Sequence, residues 1–156
     1  MTAVAGPLTG REAKTYRNAG THASPTAVLI DFIENLQLNL PKDKAELKDR
    51  SSKWKKKKGG HREASISFKY NYRKHTTDTN FAAFQDSFLN DTPIEIIALD
   101  DLITESGAKG FRGYFEVFQF DRKEDASDIV SYDVGMDLTY KEESSAVVEP
   151  DFYEVS

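Results

Sequence analysis

Apolar and polar residues alternate along much of this chain. In "ENLQLNL", Leu36, Leu38 and Leu40 alternate with Asn35, Gln37 and Asn39, which predicts a strand with one apolar and one polar face. Pro41 ends or bends it, and "AELKDR" resumes as a short strand. "EASISFKYNYRK" sets Ile66, Phe68, Tyr70 and Tyr72 on one face and Ser65, Ser67, Lys69, Asn71 and Arg73 on the other. Between these strands lies "SSKWKKKKGGHRE", where Gly59 and Gly60 signal a turn. The lysine-rich stretch is therefore expected at or near the tip of a long hairpin.

Three more strands follow: "IEIIALD", "FRGYFEVFQFDR" and "DIVSYDVGMDLTY". The last alternates strictly, with Val130, Tyr132, Val134, Met136, Leu138 and Tyr140 on one face and Ser131, Asp133, Gly135, Asp137 and Thr139 on the other. The middle one has Phe115 and Val117 on one face and Phe118 and Phe120 on the other. A strand apolar on both faces lies between two layers or meets another subunit.

One segment switches to a helical period. In "DTNFAAFQDSFLN", Phe81, Phe84 and Phe88 share a face with Leu89 beside it. Asp78 is a suitable N-cap, and Pro93 cannot continue the helix. These phenylalanines are expected to pack the helix across an open end or face of the sheets. Residues 1–26 show no sustained period and read as an extended N-terminal arm. Residues 27–156 then form a single domain. The expected fold is mainly β, a two-sheet antiparallel sandwich or barrel flanked by one α-helix.

Composition narrows the function. The chain has 156 residues and no cysteine, which removes disulfides, thiolate metal sites and cysteine nucleophiles. No apolar run reaches the roughly 20 residues of a membrane helix, and the N-terminus lacks the basic and apolar regions of a signal peptide. Net charge is −5 but unevenly spread. Residues 1–41 are neutral, residues 42–75 carry 13 basic and 4 acidic side chains, and residues 76–156 carry 5 basic and 19 acidic. Such asymmetry suits a polyanion partner, or a second copy whose acidic face meets the basic one.

Candidate chemistry is sparse. His22, His61 and His75 fall in expected loops without the spacing of a zinc site. Asp121, Glu124, Asp125 and Asp128 lack the spacing of a calcium loop and read as a solvated turn. "SGAKGFRG" has no lysine–hydroxyl step and is not a phosphate loop. No nucleophile–base pair stands out, so no enzyme, cofactor or metal is expected. The lysine stretch supports two readings. In one, the loop at residues 53–58 is a nucleic-acid module, Lys55, Lys56, Lys57 and Lys58 contacting phosphates while a base stacks on Trp54. In the other, the loop reaches a protein partner, with Trp54 as an apolar anchor.

Four stretches carry a resemblance: "GREAKTYRNAGT"; "LQLNL" followed by Asp49, Arg50 and Trp54; "FLNDTPIEIIALD"; and "GFRGYFEVFQFDR". In their order and spacing the chain resembles the tail tube proteins of long-tailed phages; the lysine run is a departure. The resemblance implies a structural virion protein made in the host cytoplasm. Six copies form a ring, and rings stack into a hollow tube that conducts the genome. The hairpin and the terminal arms then contact the next ring, which makes Trp54 and Lys55 to Lys58 inter-ring candidates. Further partners are the tail terminator, the tip or baseplate and the tape measure, with DNA passing unbound and no membrane contact. The polar face of "SYDVGMDLT" offers Asp133 and Asp137 to an acidic lumen. The alternative is the inner tube of a contractile tail or related injection system.

Overall fold

In chain order the elements are β1 (Lys14–Asn18), β2 (Ala27–Leu29), β3 (Ile33–Asn39), β4 (Lys42–Leu47), β5 (Lys56–Arg62), β6 (Ser65–Asn71), α1 (Thr79–Asn90), β7 (Ile94–Leu99), β8 (Lys109–Lys123), β9 (Ser131–Leu138), β10 (Glu142–Glu143), β11 (Ala146–Val147) and β12 (Asp151–Glu154). They belong to a computed structural model that describes residues 13–47, 53–72, 78–124, 126 and 129–156. The first part of the arm (residues 1–12), Asp49 and Arg50, His75, and Asp125 and Asp128 lie outside the described residues.

Among the described residues, eight strands form one antiparallel sheet in the order β2-β1-β7-β8-β9-β6-β3, with β12 added beside β8. β4 pairs with β5 and β10 with β11 as separate ribbons. The two ends of the sheet, β2 and β3, are consecutive in the chain and joined by residues 30–32. Ile30 N donates to Thr15 O of β1 at 2.9 Å, and Asn71 N of β6 donates to Phe32 O at 2.8 Å. The sheet thus rolls until only residues 30–32 separate its ends, giving the barrel-like sandwich that the alternation implies; among the described residues β2 and β3 do not pair, and a cleft stays open between them.

The core fills that roll. Ile66, Phe68 and Tyr70 of β6, Ile94 and Ile96 of β7, Phe111, Phe115 and Val117 of β8, and Val134 and Met136 of β9 share one buried cluster with Phe84 of α1. Phe115 occupies the crossing point, opposing Ile94 on one side and Leu138 on the other. Gly110 is needed upstream, because a Cβ there would overlap the carbonyl of Ala98 on β7.

The helix forms where its period places it. The Asp78 carboxylate accepts from the amides of Asn80 and Phe81, and Asp91 closes the other end in the left-handed region. Phe84 is fully buried against Phe68 and Tyr70. Phe81 packs among Tyr70, Tyr72, Phe120 and Tyr132, while Phe88 sits at the rim over Phe120. Ser87 Oγ accepts from Val117 N at 3.1 Å, and Asn80 Nδ2 donates to Leu29 O at 2.9 Å.

Four expectations change. Lys14–Asn18, read as part of an arm, is a strand paired with β7; Tyr16 and Asn18 are buried on its outer side, a run too short to show a period. Gly59 and Gly60 lie within β5 rather than in a turn, and Gly59 opposite Lys44 leaves room for the Lys42 side chain. Phe118 and Phe120 do not share a face. A bulge between Val117 and Gln119 returns Phe120 to the core side opposite Val134 and leaves Phe118 57% exposed, because one extra residue flips the parity of a strand. Tyr140 lies past the end of β9 and is exposed.

Phe84→Ala is expected to cost about 3–5 kcal/mol of stability, the usual range for a buried phenylalanine. Phe118→Ala is expected to leave the urea midpoint nearly unchanged. Equal losses would place Phe118 in the core and overturn the bulge assignment.

Candidate assembly surfaces

The β4–β5 hairpin continues the β3–β6 pair beyond the body of the protein. Glu63 N donates to Pro41 O at 2.9 Å and closes its base. Every described residue from Pro41 to Glu63 is exposed, so neither face packs on the core. Leu47 pairs with Lys56, Glu46 with Lys57 and Ala45 with Lys58. Lys56, Lys57 and Lys58 are therefore strand residues, and Lys55 and Trp54 lie nearer the tip. Trp54 is 81% exposed. A lone two-stranded ribbon is marginal in water, so this one suits a surface that gains order from a partner.

The second surface is the polar face of β3, β6, β9 and the C-terminal part of β8. Register sets Glu34, Lys69, Asp133 and Asp121 in one row across the four strands. Lys123 Nζ lies 2.6 Å from Asp133 Oδ2, and Lys69 Nζ lies 3.9 Å from Glu34 Oε2. Asp137 is opposite Ser65 and Glu116. Burial, then the carboxylate of Asp91, pushes Glu116 above the ordinary carboxylate range. Asp133 and Asp137 do share this outward face, but Asp133 is half-buried in an ion pair whereas Asp137 is open. Asp121 and Glu124 accept from Gln119 and Arg122 respectively.

Among the described residues this four-stranded section has two open edges. β7 pairs with β8 only as far as Phe115, and among the described residues no strand pairs with that side of β8 beyond it. β3 ends the strand order. A cleft beside β3 is lined by Ala13, Lys14, Leu29, Ile33 and Leu36. β3 carries its own bulge between Glu34 and Gln37, with Asn35 in the left-handed region at φ 56°, where asparagine is among the few tolerated side chains.

The third feature was hidden in sequence. Glu95 stands among Ile94, Ile96 and Ile97 on β7 and is 1% exposed. Its carboxylate accepts from Arg112 Nη2 at 2.8 Å and Asn18 Nδ2 at 2.7 Å, and His22 Nδ1 lies 2.5 Å from it. Arg112 also donates to His22 O at 2.6 Å. Glu143 accepts from His22 N and from Tyr114 OH. Burial alone would raise Glu95, but the hydrogen bonds from Arg112, His22 and Asn18 outweigh it and hold Glu95 below the ordinary carboxylate range. Tyr114 is pushed well above its usual value by burial and by Glu95 and Glu143. The cluster pins the loop after β1 and the β10–β11 ribbon onto the outer side of β7 and β8. An acid inside an apolar run was its one sequence signal; partners tens of residues away left none. His22 lies in a loop as expected but is half-buried here, whereas His61, also expected in a loop, lies exposed in β5.

No family model matches the chain, and no curated protein does. Solved structures do. A chain from the tail of an empty gene transfer agent particle, determined with C6 symmetry, superposes with a TM-score of 0.68 at 18% identity, covering 94% of this chain and 99% of that one. A chain of the SPP1 tail tube gives 0.70 at 15% identity, covering 95% and 80%. A chain from the sheath–tube complex of the extracellular contractile injection system PVC gives 0.62 at 11% identity, covering 96% and 93%. The chain has the fold of these proteins over almost its whole length.

Glu95→Gln leaves Arg112 buried without its counter-charge, which is expected to cost about 3–5 kcal/mol at pH 7. A lowered carboxyl pKa stabilises the fold above the ordinary carboxylate range, about pH 4.3. That contribution is lost as pH falls through Glu95's own lower value. The gap between wild type and variant should therefore narrow in acid-titrated urea melts. A gap independent of pH would refute the ion-pair assignment.

Proposed function

We propose that this chain is a structural subunit of a phage-type tail tube: six copies close into a ring, and rings stack into a hollow conduit for the genome. The observation that carries this reading is the near-complete, two-way coverage between this fold and chains of the gene transfer agent tail and the SPP1 tail tube. The surfaces support it. A four-stranded section open at both edges suits side-by-side repetition, which hides the edges. Stacking joins different patches and builds a filament. A basic hairpin on a chain whose C-terminal half is acidic supplies complementary charge for it. The protein then resides in the virion tail and has no reaction to catalyse. Its further partners are a terminator, a tip and a tape measure.

In this reading Trp54 and the lysines at 55–58 reach the next ring, and the face bearing Asp133 and Asp137 lines the lumen, where DNA passes unbound. A second reading, a tube inside a contractile sheath, is favoured by the likeness to the PVC sheath–tube complex; a sheath gene beside this one would decide for it.

Negative-stain microscopy of the purified protein across concentration and salt tests the proposal, with rings or hollow tubes expected. Replacing Lys55, Lys56, Lys57 and Lys58 by threonine should weaken tube growth and leave the subunit folded. Small particles that bind duplex DNA, with binding lost in the threonine variant, would support the nucleic-acid module instead. Asp133→Lys and Asp137→Lys should assemble normally, since Asp137 is open and the Asp133–Lys123 pair, with its lysine mostly exposed, is of the surface kind worth about 0–1 kcal/mol, yet slow genome ejection. Unchanged ejection kinetics would remove the lumen assignment.

A further inference from the structure

We infer that neighbouring copies in a ring are locked by an apolar seam: Phe118, Phe88 and Leu89 of one copy seat in the cleft lined by Leu29, Ile33 and Leu36 of the next. The inference rests on the tube reading and names the surface that holds a ring together.

The lock side is built by the β8 bulge and the end of α1. The Ser87–Val117 hydrogen bond sets the last turn of the helix against β8 where its open edge begins. Phe118, Phe88 and Leu89 are the neighbours of those two residues and are exposed, Leu89 by 67%. Phe88 is held there by Phe120, 6.1 Å between ring centroids. The cleft side lies at the far edge of the same four strands, where Ile33 and Leu36 are half-buried and Leu29 is exposed.

Three observations make a second copy the occupant. First, β3–β6, β6–β9 and β9–β8 are all antiparallel, so β3 runs opposite to β8. A copy related by rotation about a ring axis presents its β3 to β8 in the antiparallel sense. Second, the levels match: Ile33 shares a register row with Arg122 and Leu38 with Val117, so β3 lies level with the stretch of β8 past Phe115 that no described strand covers. Third, lock and cleft are different patches at opposite edges, as a heterologous ring contact requires.

Main-chain pairing and apolar burial respond weakly to salt, whereas the lysine hairpin's contact is screened. At 1 M salt the screening length falls to about 3 Å. High salt should therefore dissolve tubes into free rings rather than monomers.

The decisive test mixes two variants. Phe118→Asp spoils the lock and keeps the cleft; Leu29→Asp spoils the cleft and keeps the lock. Each alone should remain monomeric by light scattering, with the wild-type unfolding midpoint. Mixed, they should form a one-to-one heterodimer that grows no further, since one good seam remains per pair. Leu89→Asp replaces Phe118→Asp if the latter does not fold. Rings formed by either variant alone, or a mixture that stays monomeric, would overturn the seam while leaving wild-type tubes and the tube reading intact. Wild-type monomers at high salt would overturn it too. Wild-type protein that forms neither rings nor tubes under any condition would remove the tube reading and this inference together.

Discussion

β8 constrains everything else in this structure. Its first part is held between β7 and β12, and its second part pairs with β9. Phe115, buried and opposed on both sides, is where one ladder hands over to the other. Because a single strand serves both halves, the sheet can roll without a break until only residues 30–32 separate β2 from β3. The bulge just past this point does two further things. It brings Phe120 back to the core beneath α1, and it turns Phe118 outward beside an edge that no described strand pairs. Bulges bend strands and re-aim side chains; here that local irregularity separates packing residues from surface residues.

The two faces of the sheet carry different physics. Inward, aromatic and branched side chains meet at ring separations near 5–6 Å, an apolar interior that gains from burial without direction. Outward, behind β7 and β8, Glu95 gathers Arg112, Asn18 and His22 into a buried polar knot. Such a group is weak evidence for stability, since well-packed apolar residues often do as well. Its effect is positional. It fastens the loop after β1 and the β10–β11 ribbon, segments whose own sequences show too little periodicity to hold themselves in place.

Much of this was legible in the chain. The alternation of Ile66, Phe68 and Tyr70, or of Tyr132, Val134 and Met136, is a direct imprint of one buried face per strand. The Asp78 cap and the spacing of Phe81 and Phe84 foretold a helix lying on the core. What was not legible depended on pairing. Nothing local distinguishes Lys14–Asn18 from an arm, because its order comes from β7, far along the chain. Gly59 and Gly60 look like a turn, yet the register of β4 and β5 makes them strand residues. The parity of Phe118 and Phe120 cannot be read locally, since the bulge between them is set by the ladder with β9. Glu95 shows only as an acid in an apolar run; its partners are chosen by topology.

The charge pattern takes a sharper meaning from the fold. In sequence, the acidic excess after residue 76 reads as a uniform property of the C-terminal half. In three dimensions it divides. Glu95 and Glu143 are consumed in the knot, and Asp78 and Asp91 bracket the helix. On the polar face, Glu34, Glu116, Asp121, Asp133 and Asp137 stand with Lys69 and Lys123 among them. That face is acidic on balance but interrupted by paired lysines. As a tube wall it would repel a duplex gently, with short-range fields screened within about 8–10 Å in salt, instead of presenting a dense negative surface. A passing polyanion needs only that it never finds a favourable place to stop. The strong basic charge, by contrast, is carried out of the body on a ribbon of its own, which continues the β3–β6 pair past the end of this face.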